Sequence, residues 1–255
     1  MKSLLFICIL LLFFSCSNIE KPNHYKPTVS IDSLLSSKKN FLSYYFTSID
    51  LSSPYTPING EGKTVSKLTF LSAIETGDFF PVEVDYPTKA YQLIKLDSIQ
   101  KKEYQKFLLA KAQQYKQYVQ FLGNSFPDFE LKDINGVTYN NKILKGKTVI
   151  VKFWFLNCKP CIEEIPALNT LANTYKDRDD VIFLSFALDG NKALQKFKAN
   201  KEYYYETISA KDFIWKNLKI KVFPTHMIIN KEGMVIFVDG KSTHIEETLK
   251  KELSK

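Results

Sequence analysis

Two cysteines three positions apart, Cys158 and Cys161, are the residues of this chain best suited to chemistry, because thiols at that spacing can close and reopen a disulfide. They end the run Trp154-Phe155-Leu156-Asn157-Cys158-Lys159-Pro160-Cys161. A β-branched apolar run, Thr148-Val149-Ile150-Val151, precedes them, and Ile162-Glu163-Glu164-Ile165-Pro166-Ala167-Leu168 reads as a helix after them. The order strand, CxxC, helix sets the first cysteine at a helix N-terminus. Orphan N–H groups and the helix dipole there favour a thiolate, the nucleophilic form. Half of a zinc site would look the same. The other cysteines, Cys8 and Cys16, lie in the first sixteen residues, and the histidines are His24, His226 and His244. A structural zinc site takes four Cys or His ligands, so redox use is favoured, with no metal and no cofactor expected.

The elements that must position this pair form a consistent pattern from about residue 123 onward. Phe129–Ile134 and Val137–Tyr139 flank Asn135-Gly136, the strongest short hairpin signal. A strand over 148–155, the CxxC helix to about Tyr175, and a strand Val181–Ala187 follow. Helices are expected from about Lys192 to Ala199 and near Asp212–Leu218, then strands Thr225–Ile229 and Met234–Val238 around Asn230-Lys231-Glu232-Gly233, and a last helix over Ile245–Leu253. The fold class is α/β, with a mixed sheet flanked by helices and closed by an antiparallel hairpin. About 130 residues suffice for one well-buried core. Tyr203-Tyr204-Tyr205 reads as a strand or packing cluster with no role, and a lone His226 on a strand reads as structural.

Residues 41–122 carry no chemical motif and read as a small helix-rich or mixed domain. Phe41–Phe46 fits a strand or a helix; Val65, Leu68, Leu71 and Ile74 recur at helical spacing; Pro81 and Pro87 bracket a short alternating piece, Val82–Asp85. The clearest helix opens at Asp97 or Ser98, with Tyr104, Leu108, Ala112, Tyr115, Val119 and Leu122 on one face and Gly123 as its stop. Residues 16–40, with Pro22, Pro27 and several serines, read as a tether.

The N-terminus has one lysine, an apolar run from Leu4 to Phe14, and then Ser15-Cys16. Eleven residues are short for a membrane span and suit the apolar core of a signal peptide. Phe13-Phe14-Ser15-Cys16 resembles a bacterial lipobox, with Phe13 in place of the usual leucine. The resemblance implies cleavage after residue 15, a lipidated Cys16, and a protein anchored in the cell envelope and facing the periplasm, where disulfides persist. Loss of residues 1–15 removes Lys2 and no acid, so the net charge falls from +8 to +7. The lysines are dispersed, and with export this argues against a nucleic-acid partner.

Val222-Phe223-Pro224-Thr225, some sixty residues after the CxxC and just before the penultimate strand, resembles the cis-proline loop of the thioredoxin superfamily. The resemblance covers about residues 124–255 and rests on Phe153-Trp154, CxxC, Pro224-Thr225 and the final hairpin. It implies a thioredoxin-like fold with an N-terminal hairpin extension. Within the superfamily, Cys158-Lys159-Pro160-Cys161-Ile162-Glu163-Glu164-Ile165-Pro166 is similar to the CxxCxxExP pattern of the membrane-tethered TlpA/ResA group, as are Phe126-Pro127-Asp128-Phe129-Glu130-Leu131 and Leu144-Lys145-Gly146-Lys147. The resemblance implies an exposed attacking thiol at Cys158, a buried resolving thiol at Cys161, and a role for Glu164 in the protons of the dithiol. It implies client contact at Phe223, Pro224, Thr225 and Trp154, the last packed beside the site, where a large aromatic would equally suit the core. Exported disulfide-containing proteins would be the clients and a membrane thiol carrier the electron donor.

Four positions depart from relatives or tune the pair. Cytosolic thioredoxins carry a buried aspartate six residues before the first cysteine; Lys152 stands here and is expected to snorkel outward, leaving that proton-transfer role to Glu164. Asn157 replaces a frequent tryptophan. Lys159 beside a thiolate favours the reduced form and a more oxidising disulfide, and Pro160 stiffens the first helical turn. The TlpA/ResA resemblance points to a reductant instead, and is preferred because the effect of an exposed lysine is screened. Two rival functions share the scaffold. A peroxiredoxin-type peroxidase lacks its usual threonine three residues before the reactive cysteine, where Phe155 stands; the other rival is a non-catalytic copper- or client-binding module, whose copper-delivery relatives prefer CxxxC with a distal histidine where this chain has CxxC.

Overall fold

The computed structural model describes residues 25–255. The expected signal segment 1–15 and the lipidation site Cys16 lie outside the described residues. Among the described residues no helix is long and apolar enough to cross a membrane.

The first half of the described chain is a mixed α/β unit. Helices α1 (Ile31–Leu35) and α2 (Lys38–Ser48) are opened by Ser30 and Ser37, whose hydroxyls accept from the Ser33 and Asn40 N–H groups. The second half of the expected tether is therefore folded, and buried Leu34 ties it to the core. Strand β1 (Thr56–Ile58), helix α3 (Lys67–Glu75), β2 (Phe79–Glu83) and β3 (Ala90–Lys95) follow. The strands form a sheet in the order β1-β3-β2. Pro81 sits within β2 rather than bounding it, which is tolerated because β2 is an edge strand. Helix α4 (Ser98–Phe121) starts with a capping box between Asp97 and Gln100. Phe41 stacks on Tyr104 at 3.7 Å, joining α2 to α4 in this core.

The second half holds the cysteines. β4 (Glu130–Lys132) and β5 (Thr138–Asn140) pair as a separate hairpin; Gly136, at φ +89°, takes the turn position that L side chains avoid. After α5 (Asn141–Leu144) come β6 (Thr148–Trp154), α6 (Lys159–Glu163), α7 (Ile165–Thr174), β7 (Val181–Ala187), α8 (Asn191–Asn200) and β8 (Glu206–Ser209). A π-helical turn (Phe213–Asn217), β9 (Thr225–Ile229), β10 (Val235–Asp239) and α9 (Ile245–Leu253) complete the chain. The sheet order is β10-β9-β6-β7-β8, with β6, β7 and β8 parallel and β9 antiparallel to both its neighbours. This is the expected thioredoxin-like α/β architecture. β6 is its central strand, buried along its whole length.

Residues of β6 alternate between two cores. Val149, Val151 and Phe153 face one cluster with Phe213 and Ile214; Ile150 and Trp154 face the other, with Leu168 of α7, Leu194 of α8 and Leu249 of α9. α4 reaches across the junction of the two halves. Its Tyr118 hydroxyl lies 3.2 Å from Thr225 Oγ1, and Gln117 Nε2 donates to the Leu218 and Lys219 carbonyls at 3.0 and 2.7 Å.

Candidate functional site

The site is assembled at the C-terminal end of β6. Leaving the sheet, the chain turns through Phe155–Cys158, closed by the Cys158 N–H donating to the Phe155 carbonyl at 3.1 Å. Asp189, just after β7, holds the same turn by accepting from the Leu156 N–H at 2.7 Å. Cys158 is the N-cap of α6, with Pro160 in the first turn, where a missing N–H costs no helical bond. Cys158 and Cys161 are joined as a disulfide. Cys161 is fully covered and Cys158 is 5% exposed, so Cys158 is more enclosed than the expected exposed thiol. The closed turn tucks it into the cluster that holds Trp154 and Ile165.

Glu164 falls where the helix divides, at the place where Pro166 is expected from the sequence to bend or restart it. Pro166 removes an N–H from the next turn, and the chain restarts as α7 with that proline in its first turn. At this break the Glu164 carboxylate turns inward, only 13% exposed. Lys152 meets it there. The expectation that Lys152 snorkels outward is overturned: its side chain is fully buried, and its Nζ lies 3.0 Å from Glu164 Oε1 and donates to the Cys161 carbonyl at 2.6 Å. The reason is strand periodicity. With Val151 and Phe153 on one face of central β6, Lys152 must join Ile150 and Trp154 on the other, which is roofed by helices and offers no path to water.

His226 completes the group. It stands opposite Lys152 in the β6–β9 register, and its Nε2 lies 3.1 Å from Glu164 Oε2. An ionised carboxylate only accepts, so the Nε2–H donates. Burial alone would lift the Glu164 carboxyl, but the His226 hydrogen bond and the two basic partners outweigh it and hold the group below its usual range. Burial pulls the Lys152 ammonium down to about 8, with Glu164 opposing. At neutral pH the pair is ionised. A lone strand histidine gave no sequence signal for this role; the signal appears only once β6 and β9 are paired, which sets both side chains on one face.

The remaining predicted residues separate into surface and core. Phe223 and Pro224 are joined by a cis peptide, and the Phe223 ring sits edge-on to Phe155 at 5.5 Å. The Thr225 side chain is buried and turned toward α4, where its hydroxyl donates to the Val222 carbonyl at 2.8 Å. Trp154 is fully buried between Phe197 and Tyr203, so its side chain serves the core and lies out of reach of a docking client. Lys159 and Pro160 are exposed, and Lys159 pairs loosely with Glu163 at 3.7 Å. Tyr203 and Tyr205 stack at 5.3 Å as a buried cluster just before β8. Among the described residues one trio, Asp50, Asp239 and His244, has potential metal-binding atoms within 4.8 Å of one another; Asp50 already accepts from the Ser52 and Ser53 N–H groups.

A disulfide at a helix N-terminus, behind a buried central strand and beside a cis-proline loop, defines the thioredoxin-like class of thiol–disulfide proteins. Residues 122–238 match the AhpC/TSA family model. The chain is 32% identical over 134 residues to the thiol-disulfide oxidoreductase ResA of Bacillus thuringiensis subsp. konkukian, covering 51% of this chain and 78% of that protein. It is 29% identical over 133 residues to the thioredoxin-like protein YneN of Bacillus subtilis, covering 51% of this chain and 75% of that protein. Among solved structures, the thioredoxin domain of a thiol-disulfide oxidoreductase from Bacteroides vulgatus aligns at 24% identity with a TM-score of 0.44, covering 51% of this chain and 96% of that one. The chain belongs to the ResA-like thiol–disulfide oxidoreductases, and is an enzyme of that class.

Proposed function

We propose that the Cys158–Cys161 pair exchanges with disulfides of exported proteins and acts as a reductant. The observation that carries this reading is the disulfide at the N-terminus of α6, with Cys158 slightly exposed and Cys161 fully covered. In the reduced enzyme the Cys158 thiolate attacks a client disulfide. A Cys158–client bond forms, and the client's other sulfur leaves as a thiolate that takes a proton. Cys161 then gives up its proton and attacks Cys158 Sγ, releasing the second client sulfur and closing Cys158–Cys161. Two electrons and two protons pass to the client, and a membrane dithiol carrier returns them. Phe155 and Phe223 flank the loop that an extended client segment would meet.

The reductive direction is consistent with charge balance at the site. The Lys152 ammonium is matched by Glu164, and exposed Lys159 has Glu163 nearby, so neither cation acts alone on a thiolate. The peroxidase alternative is served less well, since Phe155 occupies the place of its threonine. Export and lipid anchoring at Cys16, facing the periplasm, are supported by the apolar run and Ser15-Cys16. Cys161→Ala tests the mechanism: the variant should accumulate thiol-labile mixed disulfides through Cys158 with exported proteins. A variant that forms no such adducts, while folded and with a reactive Cys158, would remove the proposal.

A further inference from the structure

The buried lysine beside the dithiol has no counterpart in the pattern that identified the site. Lys152 Nζ donates to the carbonyl of Cys161 at 2.6 Å and meets Glu164 Oε1 at 3.0 Å, so one ammonium ties the resolving cysteine to the acid one helical turn beyond it. His226 holds the other carboxylate oxygen at 3.1 Å from the neighbouring strand. The rest of the surroundings offer little competition. Ser185 is the β7 partner of Lys152 and bonds Thr207 instead, at 3.1 Å. The Trp154 and Tyr203 rings lie 5.5 and 5.4 Å from Nζ and contribute only their π faces. Tyr203 and Tyr205 are held neutral by burial, and Lys201 adds a weaker repulsion. Among the described residues Glu164 is thus the one carboxylate paired with this ammonium, and it follows by three positions the cysteine whose sulfur must become a thiolate during exchange.

We propose that Lys152 is a positioning residue for the dithiol: by bonding the Cys161 carbonyl and pairing with Glu164, it fixes that carboxylate in place and cancels its charge at the sulfurs. The inference rests on the exchange function proposed above. Without Lys152, a carboxylate still held by His226 faces the dithiol uncompensated and disfavours the thiolate. A disfavoured thiolate destabilises the reduced form, so the couple becomes more reducing. Without Glu164 the ammonium is the uncompensated charge, and the shift has the opposite sign. Without both, the balance returns.

The test is a set of four proteins, wild type, Lys152→Met, Glu164→Gln and the double variant, equilibrated in glutathione redox buffers, with the pH profile of Cys158 alkylation as the second readout. Lys152→Met should favour the disulfide about tenfold, equivalent to about 30 mV for two electrons, and should move the alkylation profile to higher pH. Glu164→Gln should shift both readouts the other way, and the double variant should lie within about threefold of wild type, about 15 mV. A purely structural role for Lys152 predicts lower stability with an unchanged couple and profile in the folded protein, and that result overturns the inference. A double variant that adds the single effects with one sign also overturns it. If Lys152→Met does not fold, the opposite-signed shift in Glu164→Gln and its absence in the double variant carry the decision. Failure of the exchange function itself is distinct: wild type would show no reversible two-electron couple.

Discussion

Replacing Glu164 by glutamine should destabilise the oxidised protein by about 2 kcal/mol at pH 7, well below the roughly 3–5 kcal/mol usual for breaking a buried ion pair. The limit comes from Lys152. Moving its ammonium from 10.5 to about 8 already costs the folded state about 3 kcal/mol. Without its anion the ammonium is disfavoured further, and loss of its proton caps that penalty at about 5 kcal/mol in all at pH 7. The added penalty is therefore about 1–2 kcal/mol, and the weakened His226 contact adds up to about 1 kcal/mol. The introduced amide keeps the carboxylate's shape, and it can face His226 Nε2 once the ring proton moves to Nδ1, an atom that has no partner in wild type. Urea unfolding measures this, with the emission of Trp154 as reporter, since Trp154 is fully buried and Trp215 is half exposed. The pH dependence supplies the sign. The Glu164 carboxyl is held below its ordinary value of 4.5, so its contribution is complete above that pH and is lost as pH falls through its folded value. The gap between wild type and variant should close in acid. A gap that is absent at pH 7, or that widens below pH 4.5, would refute the reasoning.

Two further outcomes concern single residues. Asp189→Ala removes the carboxylate that accepts from the Leu156 N–H at 2.7 Å, and should cost about 1.5–3 kcal/mol and speed amide exchange at Leu156, read by hydrogen-exchange mass spectrometry. Cys16→Ala should move the protein made in a lipoprotein-processing host from the detergent to the aqueous phase on Triton X-114 partitioning, while purified protein keeps its dithiol couple; unchanged partitioning would remove lipid anchoring.

Much of this site could be read from the chain. The strand before the CxxC, the helix break at Pro166, the Asn135-Gly136 turn and the α4 cap announce themselves because each depends on local chemistry. Lys152 did not, because a lysine's default is solvent, and only the central place of β6 under helices closes that route. His226 was hidden for a related reason: its partner Glu164 is 62 residues away in sequence, at the junction of α6 and α7, and meets it only once β9 is paired beside β6. β3 and β8 escaped notice because both carry polar residues, Gln92 and Lys95 in one and Glu206, Thr207 and Ser209 in the other; pairing with neighbouring strands makes them sheet. The serine-rich stretch ahead of Phe41 looked like tether because its apolar residues are few, yet two serine caps and one buried leucine suffice to fold it against a core.

The central claim is that Cys158 and Cys161 form an exchangeable couple poised to reduce. Equilibrating the purified protein with mixtures of reduced and oxidised glutathione, then counting free thiols by alkylation and mass spectrometry, tests it most directly. The expected result is a single two-electron transition in which both thiols appear together, with a midpoint at or below about −220 mV, on the thioredoxin side of the glutaredoxins. A midpoint near or above about −180 mV, where protein disulfide isomerase lies, would contradict the reductive assignment, and thiols that appear singly or not at all would contradict the couple itself.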